Sequence, residues 1–315
     1  MGSSLGNPVS DSRFLALVQS AFERVRAELM RTSPFLFDRV WEWMTRLSGS
    51  LRPEDYYLKP RSAPILFLPW WLESSIAAAP DVDFQTDLIY ATINKYYFVR
   101  LVDDVMDGHG PDPVILPMLS VWDAQFQATY SHHFPAGHPF WQYFHQILRR
   151  TAAVTAQEAT FRNIDRASFL NFSAAKSCGA TIAMMAVCYR RDRLDAFSAW
   201  DRFWEAFARW NQLRDDLFDW HRDLEGGIPS YLLSEGERRK TTEESVTNWF
   251  VREGFGWATE LLGEWTRDMR REGSHLNSPK VEQYVEFRAT DLDCQIADIV
   301  ARLKSLAALS GLELQ

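Results

Sequence analysis

The chain has 315 residues, 46% of them hydrophobic and 24% charged, and a net charge of −8. That acidic balance argues against nucleic-acid backbones and anionic membrane surfaces as main partners, since both need clustered lysine and arginine; an anionic ligand would have to arrive with metal ions. Thirteen tryptophans and 21 phenylalanines are many for this length and allow a large aromatic-lined interior.

The opening "MGSSLGNPVS" lacks the basic start and apolar core of a signal peptide, and Gly6 breaks the myristoylation pattern. Residues 1–10 read as a disordered tail, and 11–315 as one domain. Apolar side chains then recur at Phe14, Val18, Phe22, Val25 and Leu29, the period of an amphipathic helix over 11–32. A second helix is predicted over 36–49. "RPEDYYLKPRSAP" reads as a break, and the most apolar stretch, "SAPILFLPWWLESS", is too short and too interrupted by Pro64 and Pro69 to span a bilayer. Further helices are predicted over 83–108 and 113–132, divided by "GHGPDP", then 139–160 after "FPAGHP", 167–190, 195–225 and, past "EGGIPS", 242–272 and 278–309. No stretch alternates as a strand, and no repeat, low-complexity tract or linker divides the chain. The fold class is therefore all-α, a single-domain antiparallel helical bundle. Cys178, Cys188 and Cys294 have no metal-ligand spacing and read as buried thiols in a reducing compartment, which makes the expected protein soluble and cytoplasmic. His132, His133 and His221 likewise have no partner at ligand spacing.

Two acidic clusters stand apart from this background. In "LVDDVMDGHG", Asp103 and Asp107 lie one helical turn apart with Asp104 beside them, and each like-charge pair costs a few tenths of a kcal/mol unless a cation relieves it. Tyr96, Val99, Asp103 and Asp107 follow at spacings of three or four, so these carboxylates are expected to continue an inward-facing stripe. In "FWEAFARWNQLRDDLFDWHRDLEGG", every fourth residue from Phe203 gives Phe207, Asn211, Asp215, Asp219 and Asp223, a stripe that begins aromatic and ends as carboxylates. An isolated acidic run is most often a solvated surface. Two runs that prolong apolar stripes, on separate helices able to face each other across a bundle, call instead for divalent cations. Magnesium fits best, because it takes oxygen ligands, keeps several waters and pairs one or two carboxylates with substrate phosphates. The implied ligand is a phosphate or diphosphate.

"DDVMD" at 103–107 resembles the DDxxD motif of class I isoprenoid synthases, and "NQLRDDLFDWHRD" at 211–223 resembles their second metal motif in two forms at once. The terpene cyclase form, Asn or Asp, Ser or Thr, then Glu at four-residue steps, matches at Asp215, Asp219 and Asp223. Asp219 stands in place of serine and Asp223 in place of glutamate, and Arg222 fits the basic residue before the last ligand. The prenyl diphosphate synthase form, a glutamine followed by a second DDxxD, matches "QLRDDLFD". The resemblance implies a bundle with a central active-site cavity and three magnesium ions. Their ligands would be Asp103, Asp104, Asp107, Asp215, Asp216, Asp219 and Asp223; of these Asp103, Asp107, Asp215, Asp219 and Asp223 would be catalytic.

"FLNFSAAKSCGATIAMM" is similar to the helix carrying a diphosphate-binding lysine in prenyl synthases, which assigns Lys176 to the diphosphate and a loosened helix to Gly179. Arg222, with Arg162 and Arg166 ahead of that helix, gives further phosphate-binding candidates. "GGIPSYLL" resembles the loop after the second motif and makes Tyr231 a candidate lid residue. Phe98, Phe172, Phe207 and Trp210 share helices with the motif residues and are the candidate aromatic lining for a carbocation. The resemblance spans roughly residues 90–235.

The activity implied is that of a terpene cyclase, ionising a linear allylic prenyl diphosphate of C15 or C20 and releasing a cyclised terpene and pyrophosphate. Two alternatives stand beside it: a trans-prenyltransferase that adds isopentenyl diphosphate to an allylic diphosphate, and an inactive helical scaffold or regulatory subunit. Chain elongators carry a glycine-lysine-arginine segment near the N-terminus and an arginine pair after the first DDxxD. Here "LKPRSAP" is a distant echo of the former and "GHGPDP" stands in place of the latter, which favours the cyclase. The arginine-tyrosine pair found near the C-terminus of bacterial cyclases is also missing, since Arg302 has no following tyrosine. All seven aspartates are present, which argues against the scaffold. A homodimer is a candidate assembly.

Overall fold

Apolar stripes, some opened by a capping side chain such as Asp81 or Ser230, build most of the described chain as helices. The computed structural model describes residues 11–310 apart from 33, 60–63, 109 and 159, so the expected N-terminal tail lies outside the described residues. Among the described residues there is no strand, and the chain is all-α. The helices are α1 (Ser12–Thr32), α2 (Pro34–Ser48), α3 (Asp55–Leu58), α4 (Phe67–Ile76), α5 (Val82–Met106), α6 (Met118–His133), α7 (Phe140–Glu158), α8 (Arg166–Lys176), α9 (Thr181–Arg190), α10 (Leu194–Gly226), α11 (Tyr231–Arg239), α12 (Val246–Trp249), α13 (Phe255–Ser274) and α14 (Pro279–Ser310). None is long and apolar enough to cross a membrane among the described residues. The chain divides into two compact units, Gly6–Thr160 with Ala175–Asp201, and Phe161–Ala174 with Arg202–Gln315.

In the first of these units α5 packs against α1 and α6, α1 against α2, and α9 against α4 and α7. Phe14, Val18, Phe22, Val25 and Leu29 are all buried, the face that the period of α1 predicts. Asp81 starts α5 by accepting from the Phe84 N–H at 3.1 Å. Helix α4 lies in the apolar stretch to which the sequence reading assigns no helix, because a helix that is apolar on every side has no period to detect. Phe67 to Glu73 are all buried, and Pro69 falls in the first turn, where its missing N–H has no intrahelical partner to lose. Glu73 is held at full burial by Gln85 at 2.6 Å and Arg191 at 2.5 Å. The helix predicted over 167–190 is broken around Gly179 by a 3-10 turn, Cys178–Ala180. Another 3-10 turn, Pro113–Ile115, precedes α6.

In the second unit α13 packs on α14 and α11 on α12. Helix α11 lies where the sequence suggests a loop; Ser230 caps it by accepting from the Leu233 N–H at 3.3 Å, and nine residues are too few for a clear period. The predicted 242–272 helix begins at Val246 and passes through a π-helical turn, Phe250–Gly254, before α13. There the backbone of Gly254 comes so close to the Trp249 ring that a Cβ would stand 2.5 Å from it. Cys178 and Cys188 are buried as expected, whereas Cys294 on α14 is exposed.

Candidate active site

A helix carries about half a negative charge at its C-terminus, so carboxylates are disfavoured there and lysine or arginine favoured. Both acidic clusters break this rule. Asp103 and Asp104 lie in the final turn of α5, Asp107 forms its C-cap, and that turn holds no basic residue. Asp223 lies in the final turn of α10, which again holds none, with Asp219 and Asp215 one and two turns earlier. Each cluster belongs to one of the two units.

On α5 the buried face runs through Tyr97, Leu101 and Asp104, not through Tyr96, Val99, Asp103 and Asp107 as the spacing suggested. Val99 is 38% exposed, Asp103 is half-buried and Asp107 exposed. The reason is rotational: neighbouring helix positions differ by about 100°, so only one of two adjacent aspartates can follow the core stripe. Asp104 does so. Its Oδ2 accepts from the Trp43 indole at 3.0 Å, and its Oδ1 lies 2.9 Å from the Arg100 guanidinium. Burial pushes the Asp103 carboxyl up from its ordinary range, opposed by the charges of Lys176 and Arg100 and reinforced by Asp107 and Glu158. Lys176 is thus in the field of Asp103, while its ammonium donates to Glu158 at 2.8 Å. Phe98 is half-buried, with the Lys95 ammonium 4.0 Å from its ring centre.

On α10 the same division recurs. Asp216 is buried, accepting from Gln212 at 3.0 Å and from the Tyr231 N–H at 3.0 Å; burial lifts its carboxyl to about 7. Asp215, Asp219 and Asp223 form a half-buried edge. Burial also raises Asp215, against the charges of Arg214 and Arg288. Asn211 donates to its Oδ2 at 2.9 Å and Arg214 to its Oδ1 at 3.0 Å. Arg222 pairs with Asp219 at 2.7 Å on an exposed surface. A cleft of about 290 Å³ brings Asp223 and exposed Arg162 into one lining, with Gly227, Ile228, Leu233 and Glu237. Exposed Arg166 opens α8, and its charge acts on Tyr231.

The remaining aromatic candidates lie inside the second unit. Tyr231 is the first residue of α11, buried and stacked on Phe169 with ring centres 4.7 Å apart. Phe172 is buried edge-on to Phe161. Phe207 and Trp210 are buried beside the Arg288 guanidinium, and the Trp210 indole donates to Thr266 at 2.9 Å.

Among the described residues no group of three or more His, Cys, Asp or Glu side chains is placed to hold a metal ion by itself. Magnesium does not need one, since it binds through one or two carboxylates and fills its remaining positions with water and phosphate oxygens. Half-buried Asp103 with exposed Asp107 on α5, and half-buried Asp215, Asp219 and Asp223 on α10, each offer carboxylates one turn apart of the kind magnesium uses. The sequence pattern gives no role to Trp43, Arg214 or Arg288, and it places Asn211 in the α10 stripe without assigning it a partner. Arg288 had a legible signal: it falls in helical register with Val281, Tyr284, Val285 and Leu292, all buried, so it is a charge on an apolar face.

No family model matches the chain, and no curated protein matches it in sequence. Solved structures do match. A geranylgeranyl pyrophosphate synthetase from the archaeon Geoglobus acetivorans is 14% identical with a TM-score of 0.61, covering 89% of this chain and 98% of its own. A polyprenyl synthase from Caulobacter crescentus CB15, in a complex with calcium and isoprenyl diphosphate, is 15% identical with a TM-score of 0.61, covering 87% and 96%. The likeness is one of fold over nearly the full length of these structures: this chain shares the all-α fold of these two synthases.

Proposed function

We propose that the protein is a magnesium-dependent class I terpene cyclase acting on a linear allylic prenyl diphosphate of C15 or C20 and releasing a cyclised terpene with pyrophosphate. The observation that carries this reading is the placing of both acidic clusters on helix C-termini without a basic residue in the last turn. In the last turn the helix dipole opposes a carboxylate by roughly 0.3–1 kcal/mol, and each like-charge pair adds roughly 0.2–0.5 kcal/mol; a bound cation reverses both. Asp103 and Asp107 on α5, and Asp215, Asp219 and Asp223 on α10, are the proposed ligands. Asp104 and Asp216 hold their helices in place. Magnesium, when bound, would supply the positive charge that turns a diphosphate into a leaving group. The Caulobacter relative, with calcium and isoprenyl diphosphate together, supports a divalent ion and a prenyl diphosphate as the ligand class.

The chain's own cations complete the site. Lys176 lies in the field of Asp103, and Arg222 and Arg162 accompany Asp219 and Asp223; with Arg166 they are suited to phosphate oxygens. Phe98, Phe172, Phe207 and Trp210 remain the proposed sources of aromatic faces for a developing carbocation. A single diphosphate is favoured because the second basic site of an elongating enzyme has little to build on. "GHGPDP" after the first motif has no arginine, and Lys59 donates to the Ser48 carbonyl at 2.5 Å.

A chain-elongating prenyltransferase is the second reading, favoured by the names of both structural relatives. Incubation with magnesium and geranyl, farnesyl or geranylgeranyl diphosphate, with and without isopentenyl diphosphate, separates the two. A hydrocarbon or alcohol from one allylic diphosphate alone is the expected result; longer prenyl diphosphates, formed only with isopentenyl diphosphate, would replace the cyclase by the elongator. Full activity in excess chelator would defeat both.

A further inference from the structure

We propose that Arg288 is a positioning residue for the second acidic cluster, which locks the Asn211 amide in the sense that makes it a donor to Asp215. The inference rests on the metal role proposed for Asp215. Arg288 is 0% exposed, and burying a guanidinium at that depth is costly unless hydrogen bonds to its terminal nitrogens and aromatic faces around its charge compensate. One terminal nitrogen donates to the Tyr284 hydroxyl at 2.8 Å and the other to Asn211 Oδ1 at 2.9 Å. The rings of Trp210, Phe207 and Tyr284 surround the charge, with centres 5.0, 5.4 and 5.8 Å away.

The direction of the relay follows from donor chemistry. A guanidinium can only donate, so Asn211 must turn its oxygen to Arg288 and its amino group away. That amino group stands 2.9 Å from Asp215 Oδ2. Without Arg288 the amide could flip and set its oxygen against the carboxylate. With it, the Asn211 oxygen faces the Arg288 cation rather than Asp215, which disfavours a metal ion on that oxygen, so the ligand series on α10 begins at Asp215. The other oxygen of Asp215 is held by Arg214, whose guanidinium also donates to Gln295 at 2.9 Å. Arg288 and Gln295 both belong to α14, so that helix sets the plane of the carboxylate on α10 from two points.

Charge and orientation make opposite forecasts. As a cation, Arg288 repels a divalent ion, so charge alone would make metal bind more tightly once the guanidinium is gone. Orientation demands the reverse, because partners behind a metal ligand typically hold about 10–100-fold of its affinity. The experiment is Mn2+ binding to the full chain, followed by electron paramagnetic resonance, with folding checked by circular dichroism and thermal unfolding. Arg288→Met leaves an unbranched apolar chain among the rings and should weaken Mn2+ binding about tenfold or more. Arg288→Lys keeps the charge but loses the fork, and should weaken binding in the same direction by less. Parent-like or tighter binding in either folded variant overturns the inference alone. If the parent binds no Mn2+, the metal role of Asp215 falls and the inference with it. Should neither variant fold, Arg288 is a structural residue and the proposal is wrong.

Discussion

Asp104→Ala should damage the fold more than the chemistry. The carboxylate is 6% exposed and accepts from the Trp43 indole on α2, itself 3% exposed. Truncation leaves that N–H buried without its acceptor, which costs about 1–3 kcal/mol. Arg100 is exposed enough to turn to water, so its lost ion pair adds about 0–1 kcal/mol. Asp104→Asn keeps an oxygen for Trp43 and should cost about 1 kcal/mol or less. Asp103→Ala is the opposite case. It removes a carboxyl whose charged form burial disfavours, so stability should stay within about 0.5 kcal/mol of the parent while turnover falls by orders of magnitude. Urea unfolding in chelator, beside turnover in saturating magnesium, measures both quantities for all three variants. An Asp104→Ala protein as stable as the parent yet inactive would show that Asp104 is a ligand and the anchoring argument mistaken.

Lys176→Gln and Arg222→Gln, with magnesium saturating, should weaken diphosphate binding and raise the share of water-quenched alcohols among the products; an unchanged rate and product profile would make both ordinary surface charges. Gly254→Ala would drive a methyl to 2.5 Å from the Trp249 ring and should lower stability by about 1–3 kcal/mol. Gly263→Ala, in open space within α13, should raise it by up to about 1 kcal/mol. The two urea midpoints should move in opposite directions, and a shared direction would discredit the close approach at Trp249.

How much of this could be read in the sequence depended on whether a residue's role was periodic. The buried face of α1 was legible because Phe14, Val18, Phe22, Val25 and Leu29 share one stripe with polar residues opposite. Helix α4 was not, since burial on all sides removes the polar–apolar contrast that marks a surface helix, and Pro69 interrupts the apolar run at a place where a helix's first turn accepts it. Helix α11 was hidden by its length. Here "IPS" looked like loop, although Ser230 after Pro229 was a usable cap signal. The contacts of Trp43 with Asp104 and of Arg288 with Asn211 join residues 61 and 77 positions apart, a pairing that no local pattern encodes.

The adjacent aspartates themselves show where spacing misleads and geometry corrects it. Two neighbours on a helix point about 100° apart, so a doubled carboxylate cannot present both members to one ligand and bury neither. On α5 the first of the pair stays half-buried in the field of Lys176, and the second turns inward to the Trp43 indole. On α10 Asp215 stays at the edge, while Asp216 turns inward to meet the Tyr231 N–H at the start of α11. Each inward carboxylate ties its acidic helix to a different element, α2 in one unit and α11 in the other. A surface run of aspartates would have no use for such ties. A pair of carboxylates that must keep a fixed direction toward a cation does, because a ligand that swings loses the affinity its orientation would supply. Under the proposed function the doubling would give one acid to the ligand and one to the frame: Asp104 and Asp216 make the inward contacts, and the other five aspartates are left as the proposed ligands.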